Sequence, residues 1–291
     1  PAALIARLLG KPVVLTYHCD LRLPAGLIHT VANQVSNLAN HLSARLANSI
    51  VANSLDYAEN SPFLKPYLGK LHAIPPPVEL PAVPAQEMAA FRQKANLQPG
   101  QRLIGMAARL ATEKGVEYLV QAMPHILRRH PTARVLYMGQ YQHVLGEEAY
   151  ARRLAPMIQA LGDHWTFLGN LSPVELSAFF RTCEVTVLPS LNSTESWGIV
   201  QVESMSCGTP VVVSDLPGVR MPVKMTGMGR IVPPGDGAAL AQAIAELLDN
   251  PQAYQGDAAA IARQFSPEQT AEQYEAIFHK LLNGDCTVSG R

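Results

Sequence analysis

The sequence has no charge imbalance, few cysteines and no long apolar run. Its 23 basic and 23 acidic side chains cancel. That balance argues against general nucleic-acid binding, which needs a basic face. No apolar stretch reaches the ~18 residues of a spanning helix, and no secretory signal is visible. The four cysteines, Cys19, Cys183, Cys207 and Cys286, fit neither a zinc site nor a disulfide framework. Cys183 and Cys207 sit in apolar surroundings, as small core residues do. A reducing cytosol suits this usage. What the chain does have is apolar mass. With 48% hydrophobic residues in 291, it can fill one large domain or two medium ones.

The first eighty residues read as part of a sheet. Residues 11–17 (KPVVLTY) and 49–52 (SIVA) are short apolar runs suited to buried strands. Between them, Ile28, Val31, Val35, Leu38, Leu42 and Leu46 recur at steps of three and four, which predicts a helix over 27–46 packed on the sheet. A membrane-surface helix would want a basic polar face; this one offers Asn33, Asn37, Asn40 and only Arg45. A Pro- and Ala-rich shift over 81–100, holding at most one short helix, reads as a linker between domains.

From residue 101 onward the pattern alternates. Strands are expected at 103–107, 134–138, 165–168, 184–188, 210–214 and 230–232, and helices at 116–129, 147–161, 173–181, 199–207 and 238–248. Val116, Leu119, Val120, Met123 and Leu127 form one apolar face. Ser172 with Pro173 and Glu175 makes a capping-box start, and Ser266, Pro267 and Gln269 repeat the signal before a last helix ending near Leu282. Such alternation means a parallel, doubly wound sheet.

In such sheets ligands bind at the carboxyl ends of strands, near helix N-termini. Arg109 and Lys114 fall in one strand-to-helix loop, where two cations suit a diphosphate; an ordinary solvated loop shows the same pair. Glu195 and Glu203 bracket a Trp-Gly turn between two β-branched strands, where a carboxylate is expensive without a partner. The amides of Gly198, Ile199 and Val200 open the following helix and suit an anion. Glu195 is placed for sugar hydroxyls and Glu203 for a ribose diol, although a solvent-facing Glu is common on any helix. Backbone groups around Asn170 and Leu171, after the strand at 165–168, suit a nucleobase edge, or are a plain turn. His18 follows the first strand directly and also sits at a carboxyl edge.

Taken together, AARLATEKG at 107–115, FLGNLSPVEL at 167–176, VLPSLNSTESWGIVQVESMSCGTPVVVSDLPGVR at 187–220 and IVPPGD at 231–236 resemble the group 1 (family four) retaining glycosyltransferases of the GT-B fold. The resemblance covers residues 11–282, and its most specific part is the pair of glutamates with seven residues between them, followed by CGTPVV. It implies an α/β protein of two Rossmann-like doubly wound domains facing a cleft, the first only partly present. The expected division is 1–80 for the end of the acceptor-side domain and 81–100 for the linker. The donor-binding domain is then 101–265, with a crossover helix at 266–284 and a tail at 285–291. By the same resemblance Arg109, Lys114 and the amides of Trp197, Gly198 and Ile199 bind the donor diphosphate. Glu195 holds the donor sugar, Glu203 the ribose, Asn170 and Leu171 the base, and His18 lies near the reacting bond. The implied reaction moves a hexosyl group from a nucleotide-diphosphate sugar to an acceptor hydroxyl with retention. No Asp-x-Asp motif occurs, so neither a metal nor another cofactor is expected. The acceptor is a glycan, a lipid or a small molecule, and nucleic acid is not a partner. The setting is cytoplasmic, with peripheral contact at the inner membrane face left open.

The sequence departs from the family in three places. Roughly a hundred residues are expected before Pro1. Gly139-Gln140 replaces a Gly-x-Gly, and three prolines at 75–77 replace a Pro-Asn-Gly. Two rival readings follow: a nucleotide-sugar binding module without turnover, and a nucleotide-sugar epimerase of the same fold. A pyridoxal-phosphate phosphorylase is disfavoured because residues 185–215 contain no Lys.

Overall fold

The computed structural model describes residues 2–20 and 27–283; Cys286 and the expected tail at 285–291 lie outside them. Two units emerge. The first is Pro1–Pro77 with Ser193–Trp197 and Phe265–Arg291; the second is Val78–Asn192 with Gly198–Gln264.

In the first unit, α1 (Ala2–Leu8), β1 (Val14–Tyr17), α2 (Leu27–Leu46), β2 (Ser49–Ala52), α3 (Leu55–Asn60) and β3 (Leu71–Ala73) follow in order. The strands pair in parallel as β1-β2-β3, with Val14 opposite Ser49 and Ile50 opposite Leu71. Ala44, Ile50, Tyr57, Phe63 and Leu64 form its core. The apolar stripe of α2 does not lie on the sheet as expected. Val35, Leu38 and Leu42 are 63%, 72% and 54% exposed, whereas Ala44 is buried. The side chains of Ile28 and Val31 lie outside the described set. Length explains the mismatch: a twenty-residue helix runs about 30 Å, while a four-residue strand runs about 13 Å. The sheet therefore supports only the end of the helix.

The second unit holds six parallel strands: β4 (Arg102–Ala107), β5 (Ala133–Met138), β6 (Trp165–Gly169), β7 (Val185–Leu188), β8 (Val211–Ser214) and β9 (Gly229–Val232). Their order is β6-β5-β4-β7-β8-β9. Its helices are α4 (Ala85–Lys94), α5 (Val116–Arg129), α6 (Glu148–Gln159), α7 (Pro173–Thr182), α8 (Ile199–Ser206), α9 (Met221–Thr226), α10 (Gly237–Asp249) and α11 (Ala258–Gln264). Leu119, Met123 and Ile126 of α5, Leu154 of α6 and Ile244 and Leu247 of α10 join one core cluster with the sheet. Phe91 of α4 and Phe179 and Phe180 of α7 join a second. Strands covered on both faces are continuous apolar runs, and β4, β7 and β8 read so. At α7 the Ser172 hydroxyl accepts the Glu175 N–H while the Glu175 carboxylate accepts the Ser172 N–H.

Two expected boundaries are corrected. Residues 81–100 are not a linker, since α4 buries Phe91 in the second unit. Met88, Phe91 and Ala95 give it an apolar face at steps of three and four, which the surrounding prolines obscure. The stretch 101–265 is also not one continuous domain, because Ser193–Trp197 belongs to the first unit. So does α12 (Pro267–Leu282), whose Ile277 packs with Val51 and Ile74. Thr270 Oγ1 donates to the Pro75 carbonyl at 3.3 Å. No helix among the described residues is long and apolar enough to cross a membrane.

Gly105 sits mid-strand in β4, where an added Cβ would lie 2.7 Å from Cys183 Sγ and 2.9 Å from both Phe179 Cζ and Thr186 Cγ2. Overpacking of this kind costs about 1–3 kcal/mol. We expect Gly105→Ala to lower stability by that amount in urea denaturation, with an unchanged m-value.

Candidate functional site

The strand order of the second unit reverses between β4 and β7: connections from β4 run toward β5 and β6, and those from β7 toward β8 and β9. Crevices that bind ligands open at such a reversal, outside the carboxyl ends of the strands. Here it carries the loop at 108–115 and the start of the loop after β7, at 189–192.

The first loop is tied down at several points. Ala108 N–H donates to the Met138 carbonyl at 3.0 Å and Leu110 N–H to the Gln140 carbonyl at 2.8 Å. Gly139 allows the first approach. Its φ is +114° and a Cβ there would stand 2.2 Å from the Ala108 oxygen, so this glycine of the altered motif is sterically required. Gly115, at φ +66°, ends the loop; its Cβ would stand 2.0 Å from the Pro189 oxygen. The two loops therefore touch backbone to backbone, and Leu191 N–H donates to the Glu113 carbonyl at 2.9 Å. Arg109 is 57% exposed and pairs with Glu113 at 3.2 Å. Lys114 is half-buried on the same turn.

The second loop ends at Gly198, with φ +76° and ψ +72°. A Cβ there would stand 2.3 Å from Leu188 Cδ2. The first bond of α8 runs from Gln201 N–H to the Gly198 carbonyl at 3.0 Å, so the amides of Ile199 and Val200 precede the helical ladder. Glu203, one turn on, is half-buried. Among the described residues its carboxyl has no hydrogen-bond partner, and burial pushes its pKa up to about 7. Asn170 is exposed and Leu171 half-buried just after β6, where the Gly169 carbonyl accepts the Gly139 N–H at 2.8 Å.

In the first unit, the Ser193–Trp197 segment is held on both sides of Glu195. The Tyr57 hydroxyl donates to the Ser193 carbonyl at 3.1 Å. Asn53 Nδ2 donates to Ser196 Oγ at 2.8 Å. The Trp197 ring, 2% exposed, meets Phe265 edge-on with centroids 5.9 Å apart. Glu195 itself is half-buried. His18 is exposed, and its carbonyl lies 3.5 Å from Asn53 Nδ2. One amide thus gathers the His18 main chain and the residue after Glu195.

Of the residues expected to act together, Arg109, Lys114, Gly198, Ile199, Glu203, Asn170 and Leu171 belong to the second unit. His18, Glu195 and Trp197 belong to the first. Asn53, Tyr57 and Ser196 escaped the sequence reading. Asn53 directly follows a strand, so the strand-end rule that selected His18 also applies to it. Tyr57 gives no such local signal.

Glu203 generates a stability prediction. Its folded pKa of about 7 stands above the reference value of 4.5, so the folded chain keeps a proton that the unfolded chain loses. The contribution of Glu203 to stability falls as pH rises from about 4.5 to about 7 and then levels. Glu203→Gln removes that fall. Its stability relative to the parent should improve by up to about 3 kcal/mol between pH 4 and pH 8 in urea titrations.

Comparison with known proteins identifies the fold and the family. The fold matches the crystal structure of Anabaena HepE in complex with UDP at a TM-score of 0.78 and 20% identity, covering 96% of this chain and 75% of that one. It matches sucrose-phosphate synthase of Thermosynechococcus elongatus at 0.77 and 23%, covering 97% and 72%. These are GT-B glycosyltransferase structures, so the GT-B architecture is shown. In sequence, the chain is 33% identical over 178 residues to the phosphatidyl-myo-inositol mannosyltransferase of Mycobacterium leprae, over 60% of this chain and 45% of that protein. It is 28% identical over 220 residues to the D-inositol 3-phosphate glycosyltransferase of Segniliparus rotundus, over 74% and 48%. The chain thus spans a little under half the length of these two relatives. Residues 87–265, more than half of the chain, match the family model of glycosyl transferases group 1, and the chain belongs to that family.

Proposed function

We propose that this chain takes part in metal-independent transfer of a hexosyl group from a nucleotide-diphosphate sugar to an acceptor hydroxyl, with retention of configuration. The observation that carries the reading is the backbone contact of the two loops at the strand-order reversal, through Gly115 and Pro189. The cation-bearing turn lies against the residues that directly follow β7. Family membership supports it. So do the structural relatives, among them HepE solved with UDP-glucose.

The chemistry follows from charge. As the donor C1–O bond breaks, positive charge grows on the sugar ring, as in other glycosyl chemistry, and negative charge on the leaving diphosphate. Arg109 and Lys114 stabilise the diphosphate, with the amides of Trp197, Gly198 and Ile199. The Arg109–Glu113 pair is exposed, and such pairs contribute about 0–1 kcal/mol, so Arg109 leaves Glu113 at little cost. Glu203 accepts both ribose hydroxyls, and these supply the partners its carboxylate lacks. Backbone groups at Asn170 and Leu171 read the base. Glu195 accepts hydroxyls of the sugar, and His18 lies near the reacting bond. Fixed cations do the work of a metal, in keeping with a sequence that has no Asp-x-Asp motif. The acceptor hydroxyl attacks from the face the diphosphate leaves.

Calorimetric titration with UDP and with GDP in the presence of a chelator tests this. Micromolar binding of one is expected. Arg109→Ala should weaken it by about ten- to a hundredfold, the worth of a charge-assisted hydrogen bond. Failure of both nucleotides to bind the folded chain would overturn the reading. Isomerisation of the free nucleotide sugar without an acceptor would mark an epimerase instead, and binding without transfer a binding module.

A pH dependence follows as well. A carboxylate that titrates near pH 7 accepts hydroxyls only when ionised, so nucleotide affinity should rise about tenfold from pH 6 to pH 8. Glu203→Gln should bind more weakly and lose its share of that slope.

A further inference from the structure

The segment that carries Glu195 is short and irregular. Residues 189–198 include no helix or strand, and three of the five residues of Ser193–Trp197 are small and polar. Two buried side chains elsewhere in the first unit, Asn53 and Tyr57, bond to it. Asn53 and Tyr57 are 8% and 1% exposed, so neither bond to the segment faces much competition from water. Tyr57 is itself held. Its hydroxyl oxygen accepts the Asp20 N–H at 2.6 Å, and Asp20 Oδ1 accepts from the Tyr17 hydroxyl at 2.9 Å and from Ser61 Oγ at 2.7 Å. With its oxygen occupied by the Asp20 amide, the Tyr57 proton is directed to the Ser193 carbonyl. Burial keeps this phenol well above its usual titration range, so the donor persists across working pH. On the other side of Glu195, Asn53 fixes Ser196, and Ser196 is itself 6% exposed.

We infer that Asn53 and Tyr57 are positioning residues that set the register of Glu195 toward the donor sugar, and so decide how much the sugar adds to donor affinity. They act through the Ser196 hydroxyl and the Ser193 carbonyl, one residue after and two residues before Glu195. The inference rests on the reading of Glu195 as the sugar contact. It goes beyond that reading by assigning sugar recognition to buried side chains that touch no substrate. Apart from the Trp197 amide, the nucleotide contacts proposed above lie in the second unit, and neither Asn53 nor Tyr57 bonds to any of them. The two functions should therefore separate.

The test compares, on the whole chain, the affinities for UDP and UDP-glucose and for GDP and GDP-mannose by calorimetry, using the pair that binds. The readout is the ratio of sugar-nucleotide to nucleotide affinity. Asn53→Ala, Ser196→Ala and Tyr57→Phe should each reduce that ratio about five- to tenfold, the worth of one buried hydrogen bond, and leave the plain nucleotide affinity within about twofold. Asn53→Ala and Ser196→Ala remove one bond from its two ends, so the double variant should lose no more than either single one. Asn53→Asp can accept from the Ser196 hydroxyl and should restore part of the ratio. Tyr57→Phe keeps the ring in the core, so a folded variant is expected. A loss of stability in which nucleotide and sugar-nucleotide affinities fall together would mean a merely structural role and would overturn the inference. So would an unchanged ratio in all three variants while Glu195→Gln lowers it. If Glu195→Gln itself leaves the ratio unchanged, or the parent chain gains nothing from the sugar, then the Glu195 assignment is what fails.

Discussion

The proposed chemistry of the larger sheet depends on one close approach, the backbone of Gly115 against the Pro189 carbonyl. Strand order forces the meeting. β4 and β7 are neighbours whose connections leave in opposite directions, so their following loops share one stretch of sheet edge. Only a residue without a Cβ, at ease with a positive φ, permits contact at this distance. With these backbones in contact, the turn carrying Arg109 and Lys114 is fixed relative to the residues that follow β7 directly, Pro189 to Leu191. Gly139 does the same for the contact between the end of β5 and Ala108. At this sheet edge the loop contacts rest on backbone approach, and the sheet rests on apolar side chains.

Electrostatics at this edge is left unfinished in the free chain. Glu203 is half-buried without a partner and titrates near neutrality, an arrangement that costs stability until a hydrogen-bond donor arrives. Arg109 makes a weak exposed pair that is easily exchanged. Both groups are among those assigned to the donor nucleotide in the proposed reading. The segment around Glu195 is the opposite case. It is pinned at three points within the first unit, by Tyr57, Asn53 and Phe265.

Legibility from sequence varied with the range of the forces involved. The helix starts at Ser172 and Ser266 were readable because a cap is a contact across three residues. The strands of the second unit were readable because burial on both faces leaves a run of apolar residues. The start of β7 at Val185 rather than at residue 184 was not. Glu184 turns its carboxylate to Arg102 Nε at 2.8 Å, a partner 82 positions away. The exposed stripe of α2 was misread because periodicity reveals that a helix has an apolar face, but not how much sheet there is to cover it.

The sequence by itself determined the parallel α/β class, the helix boundaries set by local caps, and the family, through short motifs whose residues are close along the chain. Tertiary structure decided the rest. It assigned Ser193–Trp197 to the first unit, although its neighbours in sequence on both sides belong to the second. It recruited Asn53 to Ser196 across 143 positions, buried Glu203 enough to shift its titration, and folded α4 into the second unit where composition suggested a linker. The reason is the same in each case. Local composition records what a segment prefers, whereas burial and hydrogen-bond partners depend on which distant segment arrives beside it.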